Sequence, residues 1–127
     1  MLKLTAARSG NIPKNLFLGK NIISNVPYLK EAEMKLWSNR QCNQRDWRDC
    51  SIRSCMMCAG EKNNRPCKGD SGGPLLCPHD GDANTFVLHG VYSYGRCARV
   101  DQKPAVYSRV SFYMEWVVET LEADGAI

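Results

Sequence analysis

The residues with the most chemical potential lie between Cys67 and Leu75, which read Cys67-Lys68-Gly69-Asp70-Ser71-Gly72-Gly73-Pro74-Leu75. Three glycines around one serine permit backbone turns that other residues resist. Such a loop can aim several N–H groups at one point, and that convergence stabilises an oxyanion. The chemistry would be attack by the Ser71 hydroxyl on a carbonyl carbon while loop amides hold the developing charge. The same residues also make ordinary turns, so the loop alone does not separate a catalyst from a connector.

A serine hydroxyl needs a base to take its proton, and the base needs an orienting carboxylate. The only histidines are His79, in a polar turn, and His89, on the strand that leads to Ser93. A surface histidine and a strand histidine are the simpler readings of the two. The seven cysteines are Cys42, Cys50, Cys55, Cys58, Cys67, Cys77 and Cys97. So many fit a secretory lineage with disulfides, and an odd number leaves at least one thiol free or paired outside the chain. The spacing Cys50-x4-Cys55-x2-Cys58 also fits a plant-type iron–sulfur ligand set, and Cys55-x2-Cys58 fits half a zinc site. Between residues 40 and 68, Arg40, Arg45, Arg48, Arg53, Lys62, Arg65 and Lys68 face only Asp46, Asp49 and Glu61. An anionic polymer could bind such a cluster, but a solvated loop face is the simpler reading.

The elements that must position these residues are short strands. The length of 127 residues suits one domain, and 43% hydrophobic with 24% charged residues argues against disorder. No apolar run is long enough to span a bilayer, and Met1 to Arg8 holds no apolar core of signal-peptide length. A net charge of +4 is too modest to argue for nucleic acid. No membrane or nucleic-acid partner is therefore expected. Residues 1–30 are punctuated by Asn, Pro and Gly and read as loops with short extended pieces. Glu31 to Trp37 alternates polar and apolar, as a half-buried strand does. Residues 38–55 read as a short helix or loop held by cysteines. Further strands are expected at Met56–Ala59, Pro74–Cys77, Phe86–Tyr94 and Ala105–Val110, with a turn over 78–84. Tyr113, Trp116, Val117, Thr120 and Leu121 recur at helical spacing, with Gly125 as the stop and Glu115, Glu119, Glu122 and Asp124 on the exposed face. The expected fold is all-β with one C-terminal α-helix.

The Gly69 to Pro74 hexad, Gly-Asp-Ser-Gly-Gly-Pro, resembles the nucleophile signature of the trypsin and chymotrypsin family of serine proteases. Met57-Cys58-Ala59-Gly60 looks like the strand before it, and Val91-Tyr92-Ser93-Tyr94-Gly95 like the substrate-binding strand. Cys97-Ala98, Lys103 to Val110 and Trp116-Val117 follow in the family's order. The likeness is specific from about Leu29 to Val118 and weak from Thr5 to Tyr28. It implies a partial chymotrypsin-like antiparallel β-barrel, the family's second barrel and incomplete, over residues 29–127, after an irregular remnant at 1–28. It implies Ser71 as nucleophile, oxyanion N–H groups on Gly69 and Ser71, and Asp70 as the carboxylate that pairs with the new terminus after zymogen activation. It implies disulfides Cys42–Cys58 and Cys67–Cys97, and leaves Cys77 without its usual partner. Cys50 and Cys55 have no family counterpart and could pair with each other.

Several features depart from the family. Met1-Leu2-Lys3-Leu4 resembles the stretch just after the triad aspartate, which would place both His and Asp upstream. Neither His79 nor His89 matches the triad position. Material that would complete the barrel is not matched between Leu4 and Leu29, so a bare strand edge is expected. No activated Ile-Val-Gly-Gly type terminus is present to pair with Asp70, so the loop is expected to relax to a zymogen-like form. Ser93, Tyr94 and Gly95 match the substrate-binding strand. Arg65 stands at the pocket base, where an Asp would recruit Lys or Arg. Ala105 replaces a wall glycine, and Arg96 leaves one residue fewer than usual between Gly95 and Cys97. Cleavage after Lys or Arg is not expected, and an unused pocket is preferred over an acid-accepting one.

The functional expectation is a serine endopeptidase homologue, secreted by lineage, that is silent in this form and needs no cofactor or metal. Its partner would be a peptide or protein. The alternatives are the C-terminal half of an active secreted endopeptidase, with a second chain supplying the first barrel, and a Cys-rich metal or iron–sulfur module.

Overall fold

The computed structural model describes residues 3–8, 11–13, 23–25, 30–61, 65–67, 69–95 and 103–127. Its elements run β1 (Lys3–Arg8), β2 (Asn11–Pro13), β3 (Ile23–Asn25), β4 (Lys30–Trp37), α1 (Asn39–Cys42), β5 (Met56–Ala59), β6 (Pro74–His79), β7 (Asp82–Tyr94), β8 (Ala105–Arg109) and α2 (Val110–Ala123). Five strands form one antiparallel sheet in the order β4-β5-β8-β7-β6, which does not close on itself. This is the partial chymotrypsin-like barrel with a C-terminal helix that the sequence implies.

The expected bare edge is filled. β1 pairs with β4 over six positions, from Lys3↔Lys35 to Arg8↔Lys30. It also meets β6 at Thr5↔Leu76 and Ala6↔Leu75, which bridges the two outer strands and completes a ring. Main-chain pairing by β1 needs no particular side chain, so a stretch of weak pattern can supply it. β2 and β3 pair separately as a two-stranded ribbon.

Strand alternation divides the interior into two clusters. Met57 and Ala59 of β5, Ala105 and Tyr107 of β8, Leu75 and Cys77 of β6, Met34 and Tyr92 face the barrel lumen. On the other side of β5 and β8, Cys58 and Val106 pack with Cys42 and Ile52 beneath α1. Gly90 is where strands crowd inside the barrel. A Cβ there would lie 3.1 Å from Tyr107 Cβ, 3.2 Å from Met57 Sδ and 3.4 Å from Leu75 Cβ. Gly90→Ala is therefore expected to cost about 1–3 kcal/mol by overpacking, read as a lower urea midpoint. An unchanged midpoint would contradict this packing.

The β6–β7 hairpin is longer than the sequence suggests. Cys77↔Val87, Pro78↔Phe86 and His79↔Asp82 are paired, so only Asp80 and Gly81 form the turn, with Gly81 at φ +89°. The Asp82 carboxylate accepts hydrogen bonds from the Thr85 hydroxyl and the Asn84 N–H, which lower its pKa. α1 begins with a capping box: Ser38 Oγ accepts from the Gln41 N–H, and Gln41 Oε1 accepts from the Ser38 N–H. α2 ends as expected, with Gly125 at φ +70°. Its apolar stripe does not become core. No side chain of α2 is buried, and Trp116 is 64% exposed. Among the described residues no helix is long and apolar enough to cross a membrane.

Candidate active site

The serine loop is built between β5 and β6 and pinned to β7. Within it, the Asp70 N–H donates to Cys67 O at 3.0 Å and the Gly73 N–H to Asp70 O at 2.8 Å. The Gly72 N–H donates to Tyr92 O at 3.0 Å, and the Tyr92 N–H returns to Gly73 O at 2.9 Å. Gly69 at φ +97° and Gly72 at φ +81° take conformations that disfavour a side chain, which is why glycines flank this serine. The result is an alternation: Gly69 exposed, Asp70 buried, Ser71 exposed. The Asp70 carboxylate turns inward, and its Oδ2 accepts the Cys67 N–H at 2.8 Å. Ser71 makes no hydrogen bond with any described residue.

Neither histidine is bonded to Ser71. His79 is exposed and ends β6, about 17 Å along the strand from Pro74 at ordinary strand rise. His89 is exposed on β7, on the face opposite the buried Gly90 and Tyr92.

The residues expected to bind substrate lie near the loop on β7 and β8. Ser93 and Tyr94 are exposed, and Tyr94 pairs with Val106 of β8. On the β6 side, pairing ends at Pro74↔Val91 and the Gly72–Tyr92 bond. On that side Ser93 to Gly95 therefore present an edge without a strand partner among the described residues. Gly95 packs closely on Ala105: a Cβ on Gly95 would meet Ala105 Cβ at 3.1 Å and Cα at 3.2 Å. Ala105 is itself buried, so its methyl fills the space beside the glycine. Arg65 is 3% exposed, and its Nε donates to Glu61 O at 3.1 Å.

The basic cluster is not a uniform solvated face. Arg65 is buried and Arg48 half-buried, because both guanidinium groups find main-chain carbonyl partners. Arg48 Nη2 donates to Pro104 O, and its guanidinium lies 5.4 Å from the centre of the Tyr94 ring. This contact joins the turn after α1 to the substrate-binding strand. No sequence signal marks it, since Arg48 and Pro104 are 56 residues apart.

One disulfide that the resemblance implies is present, and the Cys50–Cys55 pairing outside it is not. Cys42 and Cys58 form a disulfide, and Cys67 is disulfide-bonded. Cys97, its expected partner, lies outside the described residues, as does Arg96. Cys50 and Cys55 are both free, against the pairing raised for them. Asp49 and Cys50 take left-handed φ values of +44° and +60°, and the Cys50 N–H is held by Asn43 O. Cys55 instead neighbours Tyr113 of α2 and raises the pKa of its phenol. Cys77 is free and buried; burial, then the nearby Asp80 charge, raises its thiol pKa. With Cys58 and Cys67 in disulfides, the iron–sulfur spacing loses thiolates it would need.

The family model for Trypsin matches residues 19–117. That span takes in β3, all five strands of the open sheet, the serine loop and the first half of α2. It covers most of the chain, and the chain belongs to the trypsin-like serine protease family.

Proposed function

We propose that the chain is a peptide-binding serine protease homologue that is catalytically silent alone. The observation that carries this is Ser71, exposed on a formed glycine loop and hydrogen-bonded to no described base. The family reaction is endopeptidase cleavage through an acyl-enzyme, and it requires that base. The unpartnered edge from Ser93 to Gly95 suits an extended peptide, which would add to it as a strand. Disulfides at Cys42–Cys58 and Cys67 support a secreted setting. A fluorophosphonate probe tests the reading: no adduct at Ser71 is expected under conditions that label a complete serine protease. Labelling that disappears in Ser71→Ala would overturn silence and make hydrolysis the working function.

A second reading is favoured by the surface. Phe112 and Trp116 of α2 are 55% and 64% exposed, and Phe86 of β7 is 50% exposed. Phe112 and Trp116, one turn apart on α2, would suit a surface that another protein covers. A second chain carrying a first barrel, with its histidine and aspartate, would both cover apolar surface and supply the base.

A further inference from the structure

Arg48 is a half-buried cation with no acidic partner among the described residues. Its three nitrogens differ. Nη2 is used by Pro104 O at 2.5 Å. Nε is buried without an acceptor. Nη1 makes no hydrogen bond among the described residues and is not fully buried. Asp46 and Asp49, its neighbours in sequence, are exposed and do not ion-pair with it. Taking a guanidinium partly out of water is costly unless a counter-charge is provided. The Tyr94 ring face, 5.4 Å from the guanidinium, offsets only part of that cost.

The position of this cation gives it a use. Tyr94 belongs to the strand edge that has no partner on the β6 side. A peptide added along Ser93 to Gly95 would point alternate side chains toward the sheet surface that Tyr94 and Arg48 share. A carboxylate arriving there meets the unbonded Nη1 of a guanidinium already fixed by Pro104 and Tyr94. Little ordering is then left to do on binding, which favours a charge-assisted hydrogen bond. A lysine arriving there meets like charge.

We propose that Arg48 is a specificity-determining residue that selects acidic side chains in a peptide bound along the Ser93–Gly95 edge. This rests on the peptide-binding reading above. The probe is a set of short, end-capped fluorescent peptides of extended sequence, with Glu, Gln or Lys placed at each position in turn. Binding to the full chain is read by fluorescence anisotropy. At the position that reaches Arg48, the Glu peptide is expected to bind about tenfold tighter than the Gln peptide, and the Lys peptide more weakly than either. The gap should narrow as salt rises. Arg48→Gln should bring Glu and Gln peptides level, and Arg48→Lys should keep the order with a smaller gap. The wild-type series stands even if a variant fails to fold. Equal binding of Glu and Gln peptides at every position, or a gap that persists in folded Arg48→Gln, overturns the role of Arg48 alone. Failure of every peptide to bind, Gln peptides included, overturns the peptide-binding reading as well.

Discussion

Supplying a chain that carries the histidine and aspartate of a first barrel is expected to accelerate fluorophosphonate labelling of Ser71 by about a thousandfold, the scale of a positioned general base. The argument starts from what the loop already provides. Ser71 is exposed, and hydrogen bonds between Cys67 and Asp70, Asp70 and Gly73, and Gly72 and Tyr92 hold its backbone. The loop backbone that carries the nucleophile is therefore held before any partner arrives, and no described residue takes its proton. The partner also has a surface to cover, since α2 leaves Phe112 and Trp116 in water. Trp116→Ser should weaken the acceleration without altering the isolated chain's unfolding midpoint, because the side chain is 64% exposed. Ser71→Ala should abolish labelling in every mixture. A partner that binds the chain yet leaves the labelling rate unchanged would sink the complementation idea, while silence of the isolated chain would still stand.

Local chemistry was legible in the sequence, and long-range closure was not. The serine loop could be read because its requirement is local: Gly69 and Gly72 occupy positive φ, and glycines at those positions announce it. The strands β5 and β8 could be read because each alternates between two environments, the lumen and the disulfide cluster under α1. β1 could not be read as a barrel strand. Its place is set by main-chain pairing with β4 and β6, which leaves no pattern in its own side chains. Helical spacing in α2 revealed a stripe, but spacing cannot say what covers it, and within this chain no α2 side chain is buried. Asp80-Gly81 is the strong hairpin signal within 78–84, and those two residues alone form the turn. Arg48 shows the limit most plainly. It looked like one cation among seven, and only folding across 56 residues sets it against Pro104 and near Tyr94.

Replacing both Cys42 and Cys58 by alanine is expected to lower stability by about 3 kcal/mol, the chain-entropy value for a loop of this size. The disulfide spans a sequence separation of 16, and both cysteines are 0% exposed against Ile52 and Val106. Apart from the disulfide, hydrogen bonds hold the segment it closes, among them those of Arg109 to Ser54 O and Met56 O, and Trp47 packs on Trp37. Asn43 bonds Ile52 twice, accepting its N–H at 2.8 Å and donating to its carbonyl at 3.0 Å. Asn39 donates to Arg53 O and Met56 O, and Arg48 reaches across to Pro104. These polar contacts, about 1 kcal/mol each, are present with or without the cross-link, so the loss expected is that of the cross-link itself. Equilibrium urea unfolding reads the loss, with Cys50→Ser as the control. Cys50 is free and exposed, and its substitution should move stability by no more than about 0.5 kcal/mol. Loosening the segment should also release Arg48, so the paired alanine variant should bind Glu and Gln peptides more nearly alike. A paired variant within about 1 kcal/mol of the parent would mean that the polar contacts, and not the disulfide, organise this side of the barrel.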